Sequence, residues 1–406
     1  MEKSLLRSKK IIELEEKIQQ GNNQAVEKFW CEIEENGTPL IEKIDGDHEN
    51  VLVSFIYKAD KQIENVVLIP PIGAGNFSEN KMERLLDTDI WHINYKIRND
   101  VRFSYFFSPN DFFDDDWEKR YKNSTHDIFN KNLIVFTDDD GEDELIKSYA
   151  LMPNEKEHFF VKERTDVPKG SIHEHKFHSE KLEKDRRIRI YTPYNYDESN
   201  KPYRFLVLTD GDEYINMLSA TKVLDNLISD KKIPYVVVIF IDSTETREEE
   251  LMCNDTFADI IVKELIPWVR DNYNISNKAD EGIIGGLSLG GLTAAYLGLK
   301  YSEVFGNVIS QSGSYWYKPE SYEGAESDCW LSTQFDAIDR LPLKFYLNVG
   351  VLEDKEDMID TNIKLRDVLI KKGYPVEFEE FKSGHDYLYW GETLANGLIS
   401  LIGVNN

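Results

Sequence analysis

The sequence predicts an α/β fold preceded by an all-β, sandwich-like domain. Three observations carry that expectation. Between about 50 and 150 the chain consists of short segments rich in β-branched and aromatic residues: VLVSFIYKA, VVLIP, WHINYKI and VRFSYFF. Asn, Asp and Gly separate them and no long helical period interrupts them, the texture of a β-sandwich. From about 185 the segments become near-continuous apolar runs: IRIYTP, FLVLTDG, VVVIFID, GIIGGLS, NVISQSG and FYLNVG. Helical stretches such as TFADIIVKELIPWVRDNY and TNIKLRDVLIKKG lie between them. Buried parallel strands alternating with helices read this way. Finally, 406 residues suffice for two domains with cores of normal size.

Taken in order, residues 4–31 read as one or two helices. Leu5, Leu6, Ile11, Ile12, Leu14 and Ile18 form a rough stripe at helical spacing, interrupted at Gly21. The expected division is a β-domain with leading helices over 1–150, a connector over 151–184 carrying Pro153, Pro168 and Gly170, and an α/β domain over 185–406. Two acidic stretches, FFDDDWE near 112–118 and DDDGEDE at 138–144, read as solvated loops, because they lack the ligand spacing of a calcium loop.

Composition narrows the partners. Apolar residues make up 41% and aromatics 12%, so the chain is globular. There are 75 acids and 48 bases, a net charge of −27, which argues against nucleic acid or an anionic membrane. Cys31, Cys253 and Cys329 form no C-x-x-C pair, so no zinc knuckle or redox motif is expected. His173 and His175 share one face of a strand, but no third ligand lies at zinc-protease spacing, so no metal and no cofactor is expected. Charges break the apolar residues of MEKSLLRSKKIIELEEKIQQ, and the longest apolar run, VVVIF at 236–240, is too short to span a bilayer. With sparse cysteines, this predicts a cytoplasmic protein with no leader and no membrane partner.

The chemistry starts at GGLSLGG, 285–291. Gly286-Leu287-Ser288-Leu289-Gly290 fits G-x-S-x-G, follows an apolar strand and opens the helix LTAAYLGLKY. That context is the nucleophile elbow of an α/β-hydrolase sheet, and it nominates Ser288 as nucleophile. Its glycines are needed because the elbow strains the backbone and presses strand against helix. A serine hydroxyl needs a base, and in this fold the order is Ser, acid, His. Only His385 lies beyond Ser288, after the strand VEFEEF and a Gly turn. The acid should follow FYLNVG, where VLEDKED offers Glu353, Asp354, Glu356 and Asp357. Glu353, three past Gly350, is favoured, with Asp354 and Asp357 as rivals. The oxyanion hole should combine the Leu289 N–H with one from Gly211 in FLVLTDGDEY. A small-molecule ester substrate follows.

These residues carry a resemblance. The chain resembles the enterochelin (enterobactin) esterases. In the C-terminal half the match rests on LTDGDEY, on R-x-x-E-L-x-x-N from Arg247 to Asn254, on KELIPWVR, GGLSLGG, SQSGSYWY and GHDYLYW. In the N-terminal half it rests on FW at 29–30, GTPLIE, VSFIYKA, MERLLDTDIWHINYKIRNDVRFSY, and Asp127 with Asn130. The resemblance implies hydrolysis of the trilactone backbone of a catecholate siderophore, in its ferric complex, releasing iron in the cytoplasm. It also implies a β-sandwich that helps cover the site. It supports Ser288 and His385, and it places Arg247, Trp316 and Tyr317 at the substrate. For Arg247 the residues alone allow a brace to Glu250 one turn on, and for the aromatics they allow core packing. Tyr317 stands where the family often has Trp, and Ser383-Gly384-His385 where it often has Gly-Gly-His. Two competing readings are a hydrolase of feruloyl-type or other small acyl esters, and a non-catalytic ligand-binding relative. The intact Ser288, His385 and elbow speak against the latter.

Overall fold

The computed structural model describes residues 2–59, 63–70, 77–113, 116–137, 144–325 and 329–404. Most of the acidic stretch 138–144, and residues 114–115 of the other, lie outside them. The chain forms two units, Met1–Glu157 with Lys382–Leu388, and His158–Phe381 with Tyr389–Asn406.

In the first unit, the expected leading helices are Lys9–Gln19 and Ala25–Asn36. The Ser8 side chain caps the first, and Gly37, at φ 83, ends the second. Among the described residues of this unit the strands, in chain order, are β1 (Glu2–Lys3), β2 (Leu40–Lys43), β3 (Asn50–Lys58), β4 (Val66–Ile69), β5 (Glu83–Arg84), β6 (Ile90–Arg98), β7 (Arg102–Pro109), β8 (Leu133–Thr137) and β9 (Glu144–Leu151). They make two antiparallel sheets, ordered β1-β6-β3-β2, with β5 also on β6, and β4-β7-β9-β8. Aromatic rows bind the sheets face to face. Phe55 on β3 meets Tyr105 on β7 at 4.7 Å between ring centroids, and Tyr57 meets Phe107 at 5.2 Å. The next residue, Ile56, turns to the helices and packs with Ile11, Phe29, Trp30 and Ile33. Both faces of β3 are therefore covered, which is why VLVSFIY reads as one apolar run and not as an alternation.

In the second unit, β10 (Ser171–Ser179), β11 (Lys184–Thr192), β12 (Arg204–Thr209), β13 (Val236–Ile241), β14 (Gly282–Leu287), β15 (Asn307–Gln311), β16 (Lys344–Gly350) and β17 (Val376–Phe381) form one sheet. Its order is β10-β11-β13-β12-β14-β15-β16-β17. The first two pairings are antiparallel and the rest parallel. The strand β13 lies on one side of β12 and β14 on the other, so the winding reverses at β12. Open parallel sheets bind ligands beyond the carboxyl ends of strands at such a switch point. The stretch 151–184, expected as a connector, supplies the edge strand β10. Only Phe177 and Ser179 of that strand are buried. An edge strand in a two-stranded overhang carries little apolar signal, which hid it in the sequence.

Candidate active site

Ser288 stands between β14 and the helix Leu289–Lys300, with φ 56 and ψ −121. That conformation is costly for a residue with a Cβ and is held from several sides. Its N–H donates to Gln311 O at 2.8 Å, and its carbonyl accepts from Ser314 N at 3.1 Å and Leu292 N at 3.2 Å. The flanking glycines are required by contact. A Cβ on Gly286 would lie 2.3 Å from the Gly290 backbone, and one on Gly290 would lie 2.4 Å from Thr209 Oγ1. The Ser288 hydroxyl, partly exposed, lies 3.3 Å from Ser314 Oγ. The Leu289 N–H opens the helix, where the dipole favours a developing negative charge.

The three candidate acids separate clearly. Glu353 is buried, and its Oε1 accepts from Gly350 N at 2.7 Å and Ser312 Oγ at 2.6 Å. Trp390 Nε1 donates to the same Ser312 hydroxyl at 3.0 Å. Asp354 caps the following turn, accepting from Glu356 N and Asp357 N, and Asp357 is exposed. The short loop Ser312–Ser314 thus touches Ser288 at one end and Glu353 at the other. Sequence reasoning singled out the run SQSGSYW but passed over Ser312 and Ser314 for the aromatics.

His385 is partly exposed and lies in Lys382–Leu388, the segment that belongs to the first unit. Lys382 O accepts from Arg102 N at 3.1 Å, and the buried Asp386 accepts from Ser104 N at 2.9 Å. This attachment was not expected, since nothing in GHDYLYW points to a strand 280 residues earlier.

At the end of β12, Asp210 takes φ 55 and buries its carboxylate completely. Arg247 grips it through Nε at 2.5 Å and Nη2 at 2.9 Å, and Ser243 Oγ donates to it at 2.5 Å. The residues alone allowed a brace from Arg247 to Glu250; the structure pairs Arg247 with Asp210. A buried charge needs a partner, and Arg247 begins its short helix facing back towards β12. Glu250 instead receives Thr246 Oγ1 at 3.0 Å and pairs with Arg186. Gly211 follows Asp210, and a Cβ there would meet Asp242 Oδ1 at 2.7 Å and Phe240 Cβ at 2.8 Å. Close packing on β13 accounts for this glycine.

Further arginines lie beside this ion pair. Arg189 donates to Asp242 at 2.7 Å and to Asp212 at 3.1 Å, and Arg187 pairs with Asp242. Each arginine is matched by a carboxylate, so the cluster is ordered but close to neutral. Glu213 lies in the same neighbourhood. Burial, reinforced by the Asp210 charge, pushes its carboxyl up to about 7.

Trp316 is 38% exposed, so core packing does not account for it. Tyr317 is half-buried, edge-on to Trp330 at 6.2 Å. His173 Nε2 contacts Thr192 Oγ1 at 3.1 Å and His175 Nε2 contacts Tyr273 OH at 2.6 Å. Among the described residues no cluster of three His, Cys, Asp or Glu could hold a metal, and no helix is long and apolar enough to cross a membrane.

Two family models match the chain. "Putative esterase" covers residues 179–401 and "Enterochelin esterase, N-terminal" covers 52–141. The Iron(III) enterobactin esterase of Escherichia coli is 32% identical over 231 residues, and the aligned part spans 55% of each chain, about half of that relative. The Iron(III) enterobactin esterase of Dickeya dadantii is 26% identical over 417 residues, covering 91% of this chain and 92% of its own. The enterobactin esterase of Shigella flexneri, crystallised in the presence of enterobactin, superposes with a TM-score of 0.70 at 27% identity, over 90% of this chain and 95% of that one.

Proposed function

The chain belongs to the esterase family and carries the N-terminal domain of the enterochelin esterases, and on that premise we propose that it hydrolyses the ester backbone of a catecholate siderophore of the trilactone type. Ser288 attacks the ester carbonyl. His385 takes the serine proton and returns it to the departing alcohol, and Glu353 orients the imidazole and offsets its charge. The N–H groups of Leu289 and Gly211 receive the carbonyl oxygen as it becomes an oxyanion. Water, activated by His385, then cleaves the acyl-enzyme, leaving a linear acid and restoring Ser288. One ester cut opens the ring, and further cuts separate the arms, which loosens their grip on iron.

The observation that carries the hydrolase reading is the Ser288 backbone at φ 56, ψ −121, locked by two glycines that contact leaves no room to replace. The observation behind the substrate is that both halves of the chain match esterase models, where a simple esterase needs only one. Arg247, held by Asp210, offers its guanidinium as a hydrogen-bond donor to catecholate oxygens, and the exposed Trp316 offers a flat face to an aryl ring. The ferric complex is the expected substrate. The three unpaired cysteines suit a reducing cytoplasm.

The test is a screen of trilactones with and without iron, read by mass spectrometry of the fragments. Ser288→Ala should fold and lose about 10⁴-fold or more in turnover. A fluorophosphonate should label Ser288 and no other serine. Arg247→Ala should weaken turnover of the ferric complex more than of the uncharged lactone. Rapid cleavage of small acyl esters with no cleavage of any trilactone would overturn the substrate and leave the serine esterase.

A further inference from the structure

Asp386 is a buried carboxylate that the proposed reaction does not use. Its Oδ2 accepts from Ser104 N at 2.9 Å and Ser104 Oγ at 3.4 Å. Its Oδ1 accepts from Leu388 N at 3.0 Å and Ser383 Oγ at 3.2 Å. The reason these donors are available lies in the sheet. Among the described residues β4 pairs with β7 over Phe106–Pro109, and β9 occupies the other edge of β7. Beyond the end of β4, the amides of Arg102 and Ser104 are left facing outward on one edge, and buried amides need acceptors. Lys382 O takes the first at 3.1 Å and Asp386 takes the second. Tyr387 adds an edge-to-face contact with Phe136 on β8, 5.6 Å between centroids. The five-residue stretch from Lys382 to Asp386 is therefore fastened to β7 at both ends, and His385 is inside it.

We propose that Asp386 is a positioning residue for the base, clamping the His385 segment to β7 so that this strand fixes where the imidazole stands. This rests on the reading of His385 as the base. It gives β7 a task in turnover: Ser104, some 280 residues before the histidine, becomes part of the support of the catalytic machinery. A general base works only within hydrogen-bond reach of its proton, and a displacement of about 1 Å can cost roughly 100-fold in rate.

The experiment uses the full chain, p-nitrophenyl butyrate as substrate, and fluorophosphonate titration to count competent Ser288 sites. Asp386→Asn, which offers an amide N–H to donors, should lower kcat per titrated site by about 10- to 100-fold, with KM within about twofold. The double variant Ser104→Ala, Ser383→Ala removes only hydroxyl donors and should lower it roughly 3- to 10-fold. It decides the matter if Asp386→Asn does not fold. A purely structural role would reduce the number of titratable sites but leave kcat per site at the wild-type value, and that result overturns the clamp. Failure of the underlying reading looks different: His385→Ala would then keep its activity.

Discussion

Ser288 holds a backbone conformation that few residues tolerate, and its hydrogen bonds to Gln311 O and from Ser314 N keep it there. Glu353 is equally constrained, buried and holding two donors, whereas Asp354 spends its carboxylate on a cap. If Glu353 is the triad acid as proposed, Glu353→Gln should cut turnover by up to about 10⁴-fold. Asp354→Asn should leave turnover unchanged and cost less than about 1 kcal/mol, since Asn caps as well as Asp. Steady-state kinetics beside denaturant melts separate the two. Asp386 makes a second residue-level prediction. Burial, only partly offset by its hydrogen bonds, raises its pKa from 3.8 to about 6. The folded chain then keeps a proton between about pH 4 and 6 that the unfolded chain has lost. Stability should fall across that window as pH rises, by about 3 kcal/mol, and level off above it. Urea midpoints should show this slope in the wild type and a flatter one in Asp386→Asn.

The strand–turn–helix element β14 to Leu289–Lys300 is built around contacts that exclude a methyl group. Gly286→Ala would drive a Cβ into the Gly290 backbone at 2.3 Å, and no rotamer change relieves a backbone clash. The variant should lose about 3 kcal/mol or more, with activity falling alongside, measured by thermal melting and Ser288 labelling. The loop Ser312–Ser314 is a second such element. Ser312→Ala removes a donor from Glu353 and an acceptor from Trp390 in one step. It should cost about 1–3 kcal/mol and lower kcat, while Trp390→Phe, which leaves the Ser312–Glu353 bond in place, should cost less in kcat.

The whole molecule carries −27 charges, and the arginines near Asp210 and Asp242 are each matched by a carboxylate. The global field is then not reversed at the site. A ferric tris-catecholate, a trianion, should meet like-charge repulsion that salt screens. Raising ionic strength from about 0.01 to 0.15 M, a shortening of the Debye length from about 30 to 8 Å, should raise kcat/KM for the ferric complex and leave the uncharged lactone unaffected. A fall with salt would mean that Arg247 and its neighbours dominate the encounter.

Local order along the chain determined much of this protein. Apolar runs and their spacing announced the sandwich and the parallel sheet, because each strand must bury the faces its layer presents. The elbow was legible for the same reason: the glycines at 286 and 290 answer a contact four residues apart, and so show in any seven-residue window. His385 was nominated because it is the sole histidine after Ser288. The edge strand β10 was not, since a strand with little buried surface leaves little periodicity. Nor was the carboxylate that braces Arg247, which lies 37 residues upstream, nor the loop at 312–314 shared by Ser288 and Glu353. The tertiary structure alone decided that Asp386 and Lys382 would complete the open edge of β7. An unpaired amide can be satisfied by any acceptor that the fold brings within 3 Å, and nothing in the order of residues says which one that will be.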